Sequence, residues 1–311
     1  MIATTRGEAN DVREGGAWTR SQSLKNDVVW ASARGALATI GVLPLSWLRP
    51  FGRGIGAVAY AMFGSARRTA HENVALAFPD LSLTDRAALV RRAYDELGAW
   101  LGEALGLLRG GALPPALPVD PLAYDVLAEA RAEGRGVLFA SAHLGPWERV
   151  AGALVSAGVP LTTIARAAYD PRFSRLYDTI RARQGVRAIY RGAPGAAARI
   201  VRTLKDGGVL GVPMDLRSRV PSVDVPFLGR LAATAVGPAR IALRTGAAIV
   251  VGTAARGSNS ALSVTATRID TRDLDRSADA ERTLTSRIND ELSARIRAFP
   301  EAWVWMHPRF G

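Results

Sequence analysis

From Leu122 onward the chain alternates short apolar runs with stretches of helical periodicity, and no other feature narrows its possible folds as much. The apolar runs 136–140, 161–165, 186–190 and 209–214 have the length and flanking turns of buried strands. Between them, residues 147–157, 171–183 and 193–205 have the spacing of helices, as does 122–131 before the first run. Strands separated by helices imply crossover connections and a parallel arrangement. A further helix over 234–244, two closing strands at 247–254 and 261–267, and a last helix over 280–299 complete the pattern. The expected class is α/β, a mainly parallel central sheet flanked by helices. A chain of 311 residues, 48% of them hydrophobic, can bury the core of one such domain with an N-terminal extension.

The extension divides in two. Residues 1–27 are polar and charged and read as a flexible or loosely attached tail, whereas 28–64 are apolar and aromatic. The piece 28–48 approaches the ~20 residues needed to span a bilayer, but Arg34 and Pro44 interrupt it. A membrane-associated helical pair lying at the interface is expected, with a single span and a buried helical hairpin as the other possibilities. Gly52, Gly54, Gly56 and Ala57 mimic a dinucleotide-binding pattern, yet no strand precedes them, so close helix packing or membrane contact explains the glycines better. The remainder, 65–311, reads as the functional domain. Its first helix is expected over 84–108 with Thr84 as cap, followed by a stiff proline-rich connector at 113–118.

Forty basic residues against 28 acidic ones give a formal charge of +12, and only Lys25 and Lys205 are lysines. An arginine-rich surface suits anionic headgroups, an acidic carrier protein or a phosphorylated lipid. Nucleic acid is a poorer partner, because the basic residues are scattered and no helix-turn-helix, RNP or zinc pattern occurs. The chain has no cysteine, which removes disulfides and thiolate metal sites.

Chemistry concentrates at Ser141-Ala142-His143-Leu144-Gly145-Pro146-Trp147-Glu148, where the first apolar run turns into a helix. In open α/β sheets ligands bind at that edge of the strands, and a helix start offers N–H groups to negative charge. A neutral imidazole, of ordinary pKa about 6.5, can take a proton from an attacking alcohol. Glu148 is expected to orient His143, and N–H groups near Gly145 to steady an oxyanion. With no cysteine and no Gly-x-Ser-x-Gly turn, the attacking hydroxyl would belong to the substrate, so the reaction expected is transfer rather than hydrolysis. Arg166, Arg181, Arg183 and Asp215, at or near strand ends, could serve that substrate, while the aromatic tail of Trp303, Trp305 and Phe310 reads as packing.

The His143 to Glu148 spacing resembles the His-x4-Asp/Glu motif of the bacterial lipid A biosynthesis acyltransferase family, which includes lauroyl and myristoyl transferases and phosphatidylinositol mannoside relatives. Three further blocks are similar in order: 68–79, with Arg68, Asn73, Phe78 and Pro79; 225–229, followed by Thr234 and Gly237; and 300–307, with Trp303, Trp305 and His307. Pro146 and Pro308 stand where relatives often carry Asn and Arg. The resemblance implies transfer of a fatty acyl group from an acyl carrier protein or coenzyme A thioester to a hydroxyl of a membrane lipid or glycolipid. It implies no metal or organic cofactor, and a place at the cytoplasmic face of the inner membrane, peripheral or with a single N-terminal anchor. It makes His143 and Glu148 catalytic and puts Gly145, Arg166, Arg181 and Asp215 at the substrate. A non-catalytic membrane lipid-binding protein on the same fold is the other outcome to be separated by experiment.

Overall fold

The computed structural model describes residues 16–110, 113–217, 219–256 and 261–310. Its centre is a six-stranded sheet built from β1 (Val137–Ser141), β2 (Leu161–Ala165), β3 (Arg187–Tyr190), β4 (Val209–Pro213), β7 (Ala248–Arg256) and β8 (Leu262–Ile269), in the spatial order β3-β2-β4-β1-β7-β8. Every pairing is parallel except β7 with β8. The α/β class with a mainly parallel sheet is therefore observed.

Period-two alternation sorts the strand residues onto two faces. Leu138, Ala140, Leu210, Ile249 and Val251 join the larger core, whereas Val137, Phe139, Val209 and Val250 join the smaller one on the opposite face. Helices α5 (Pro121–Ala132) and α6 (Trp147–Ser156), α7 (Pro171–Arg183), α8 (Ala196–Lys205), α9 (Gly237–Thr245) and α10 (Ala278–Ala298) flank this sheet.

A two-stranded antiparallel ribbon, β5 (Ser222–Phe227) and β6 (Arg230–Ala235), interrupts the alternation, and its last two residues fall at the expected start of the helix over 234–244. Its turn is Leu228-Gly229, both with positive φ (51° and 84°), the signature of a two-residue hairpin of primed type. Leucine is rare in that conformation; here its side chain is buried and its N–H donates to Ser293 Oγ at 2.9 Å. Thr234 thus lies in β6, and α9 begins only at Gly237.

On the N-terminal side, α1 (Arg20–Val42) begins well inside the segment read as a polar tail, because Thr19 and Gln22 form a reciprocal capping box. Residues 1–15 of that tail lie outside the described residues. Helix α1 rests on the start of α7: Trp18 stacks on Tyr169, Trp30 meets Phe173 edge-on at 5.5 Å, and Asp27 pairs with Arg172 at 2.7 Å. A 3₁₀ turn (Leu45–Trp47) leads into α2 (Leu48–Met62), then α3 (Gly64–Ala77) and α4 (Leu83–Gly106), which Ser82 caps rather than Thr84. No helix among the described residues is long and apolar enough to cross a membrane.

Helices α2 and α4 cross at backbone contact. Gly52 and Gly56 face Gly98 and Gly102, and a Cβ on any of them would overlap a carbonyl of the opposite helix. Close helix packing therefore accounts for Gly52 and Gly56, whereas a Cβ at Gly54 would meet open space. Gly98→Ala is expected to force the helices apart and to destabilise the protein by about 1–3 kcal/mol, the usual range for overpacking. Thermal unfolding checks this: a melting temperature equal to wild type would show that the crossing yields without strain.

Candidate active site

Strand register builds the site. Ser141 of β1 is level with Pro213 of β4, and the Met214 N–H continues the ladder to the Ser141 carbonyl at 2.9 Å. Two residues beyond each of these partners stand His143 and Asp215, so the parallel pairing sets them side by side at the carboxyl edge of the sheet.

The two side chains are joined. His143 Nδ1 lies 2.9 Å from Asp215 Oδ1, and the His143 backbone N–H donates to Asp215 Oδ2 at 2.8 Å. The indole N–H of Trp303 also donates to Oδ2, at 2.8 Å. Asp215 is completely buried, which by itself favours the neutral acid; the His143 charge and the donors around it outweigh that burial and hold the carboxyl below its ordinary range. Burial likewise opposes charge on His143, but the carboxylate of Asp215 and, more weakly, that of Glu148 lift its pKa above the ordinary imidazole value. With Nδ1–H directed at a carboxylate, Nε2 keeps its lone pair for a substrate proton.

This corrects the expected partner of His143. Glu148, in the first turn of α6, turns both oxygens to Arg181 of α7, at 2.8 Å to Nη2 and 3.3 Å to Nε. Asp215, not Glu148, is the carboxylate hydrogen-bonded to His143, and Arg181 is ion-paired with Glu148 at the cavity wall. Of the N–H groups near Gly145 expected to face an oxyanion, several are already engaged. Gly145 has the positive φ of 64° that the turn requires, but its N–H donates to the Ala302 carbonyl at 2.9 Å. The N–H groups of Trp147 and Arg149 close onto Gly145 and Pro146 carbonyls, whereas those of Leu144 and Glu148 have no acceptor among the described residues.

The C-terminal segment forms the back wall. Leu144 bridges to Trp303, and Asn73 Nδ2 donates to the carbonyls of Trp305 and His307, both at 2.8 Å. Thr234 Oγ1 accepts from Asn289 at 2.9 Å and from the buried Arg309 at 2.7 Å. The blocks around Asn73, Thr234 and Trp303 therefore meet in space, with Trp303 serving the site as well as the core. Sequence reasoning took Trp303 for packing alone; its proximity to the turn carrying Gly145 had no local signal.

In front of His143 opens a cavity of about 620 Å³, within the ~300–1,000 Å³ usual for small-molecule sites. Its floor is apolar, with Leu138, Leu161, Ile164, Ile200, Leu210 and Val212 among its walls. Arg166, Arg191 and Arg217 line it and are exposed, making a positive mouth, while Glu148 and Arg181 face its interior. Arg183, by contrast, turns to the carbonyl of Leu107 at 2.7 Å. No group of three or more potential metal ligands occurs among the described residues.

Residues 18–311 match the family model described as bacterial lipid A biosynthesis acyltransferase. None of the curated proteins compared with the chain matches it.

Proposed function

Since the chain belongs to the bacterial lipid A biosynthesis acyltransferase family, and is thus an acyltransferase for lipid A-type substrates, we propose that it moves a fatty acyl group from a thioester to a lipid hydroxyl with His143 as general base. The observation that carries this reading is an imidazole locked through Nδ1 to a buried carboxylate, at the edge of an apolar cavity. His143 Nε2 takes the proton of the acceptor hydroxyl as its oxygen attacks the thioester carbonyl. The tetrahedral intermediate then expels the thiolate, which recovers the proton from the imidazolium. Asp215 orients the ring and stabilises its charged form, and the Glu148–Arg181 pair adds a fixed carboxylate nearby.

The apolar floor suits the acyl chain, and the arginine mouth suits a phosphate-bearing donor or acceptor. Acyl carrier protein and coenzyme A both satisfy that description. Membrane attachment is supported by exposed apolar residues grouped on the N-terminal helices, including Val28, Val42, Trp47, Val58, Met62 and Phe63. In this reading the protein lies on the cytoplasmic face of the inner membrane as a peripheral enzyme.

The test is thioester consumption by the purified protein with acyl carrier protein and coenzyme A donors over a total lipid extract, followed by mass spectrometry of the lipids. One lipid gaining a single acyl mass identifies the acceptor. Lipid binding without turnover from either donor would leave a lipid-binding protein in place of an enzyme.

A further inference from the structure

We propose that His307 is a second catalytic residue, an N–H donor to the thioester carbonyl oxygen as that oxygen becomes negative. The assignment rests on the acyl-transfer reading above. It starts from the donors at the turn: the main-chain N–H groups of His143, Gly145, Trp147 and Arg149 all have acceptors within the protein, so of the backbone donors there those of Leu144 and Glu148 remain, and a side-chain N–H in the cavity would add to them. Charge developing in a dry cavity needs a donor already aimed at it.

His307 lines the same cavity as His143 and stands close enough to feel the charges of both His143 and Asp215. Its Nδ1 is buried with no hydrogen-bond partner. That leaves Nε2 as the nitrogen open to the cavity. A buried N–H without an acceptor is rarer in proteins than an under-used acceptor, so the proton belongs on Nε2 and the lone pair on Nδ1. Burial, which outweighs the pull of Asp215, keeps the ring below the ordinary imidazole pKa and hence uncharged at neutral pH. An uncharged imidazole with Nε2–H can donate to a carbonyl but does not compete with His143 for the acceptor proton.

The backbone that carries the ring is also anchored. The His307 N–H donates to Val304 at 3.1 Å, its carbonyl accepts from Asn73 at 2.8 Å, and Pro308 restricts its backbone to extended geometry. Immediately beyond, Arg309 is anchored on Ala233 and Thr234. Rigid support of this kind is what a donor needs to meet a transition state without reorganisation. In the step itself, the acceptor oxygen bonds to the carbonyl carbon, its proton goes to His143, and the C=O electron pair moves onto the oxygen facing His307. Collapse restores C=O and breaks the C–S bond, and the thiolate takes the proton from His143.

Three variants test the assignment: His307→Ala, His307→Gln, whose amide can place an N–H near the position of Nε2, and Trp147→Phe, which removes the indole N–H of a ring 5.2 Å from the His143 imidazole. The expected result is a kcat about 10²–10³-fold lower in His307→Ala, with KM for the thioester nearly unchanged and much of the loss recovered in His307→Gln. Binding of a non-reactive acyl thioether analogue, followed by fluorescence, should be the same in wild type and His307→Ala, since the contact strengthens only in the transition state. An active wild type whose kcat survives His307→Ala overturns the assignment, as does a loss confined to acceptor KM or one found in Trp147→Phe instead. A wild type inactive toward both thioesters overturns the acyl-transfer reading and this assignment with it.

Discussion

Replacing His143 by alanine should lower acyl transfer by about 10²–10⁴-fold, the usual contribution of a positioned general base. The substitution also removes one partner of the buried Asp215 carboxylate, although the His143 backbone N–H that donates to Asp215 survives it. A His143→Ala protein should therefore fold and still bind the thioether analogue, with a melting temperature below wild type, while kcat collapses. The wild-type pH profile supplies a second check. Activity needs the neutral base, so it rises with pH through the pKa of His143, and Asp215 sets that pKa above the ordinary 6.5. The acid limb should thus lie on the alkaline side of 6.5. Unchanged turnover in a folded His143→Ala enzyme would sink the general-base assignment.

Asp215→Asn is expected to cost a comparable factor by a different route. An amide can place its NH₂ against Nδ1, which drives the imidazole proton to Nε2, where it blocks proton abstraction; in the serine-protease triad the same exchange costs about 10⁴-fold. Here the carboxylate also accepts the His143 N–H and the Trp303 indole N–H, so an amide reversed to suit one donor opposes another. A buried donor left unsatisfied costs about 1–3 kcal/mol, so the variant, like His143→Ala, should also melt lower. Without the negative charge the His143 pKa falls, and the acid limb of any residual activity should move to lower pH. The signs for stability follow the same pair. The raised pKa of His143 adds stability at acid pH that is lost as pH rises through it, whereas the lowered pKa of Asp215 adds stability above its ordinary 3.8 that is lost as pH falls through the folded value. Wild-type kinetics and melting in Asp215→Asn would return Glu148 to the orienting role.

The course of the sheet was legible because its strands are short apolar runs bounded by turns, and each run from 136–140 to 209–214 became a strand. What escaped was decided by contacts between distant segments. The β5–β6 ribbon hides behind Leu228, a residue that rarely takes positive φ, so the turn carried no glycine-first or Asn-Gly signal. Glu148 was paired with His143 because the two are five residues apart, yet a helix start and a strand end diverge at that turn, and Glu148 meets Arg181 instead. Asp215 was visible only as a charged residue at a strand end; its partnership with His143 depends on β4 lying beside β1, an ordering that linear spacing does not encode. Trp303 belongs to the same class, since an indole that both fills a core and donates to a carboxylate looks in sequence like packing.

The bond between Asn73 and Trp305 joins residues 232 positions apart, and Trp303 reaches Asp215 across 88. Contacts of such separation close large loops, and their entropy must be met before they return any stabilisation. Helices and neighbouring βαβ pairings close far shorter loops. On loop-closure entropy the wall behind His143 and Asp215, which needs Asn73 to meet the 303–307 segment, is expected to form after the central sheet.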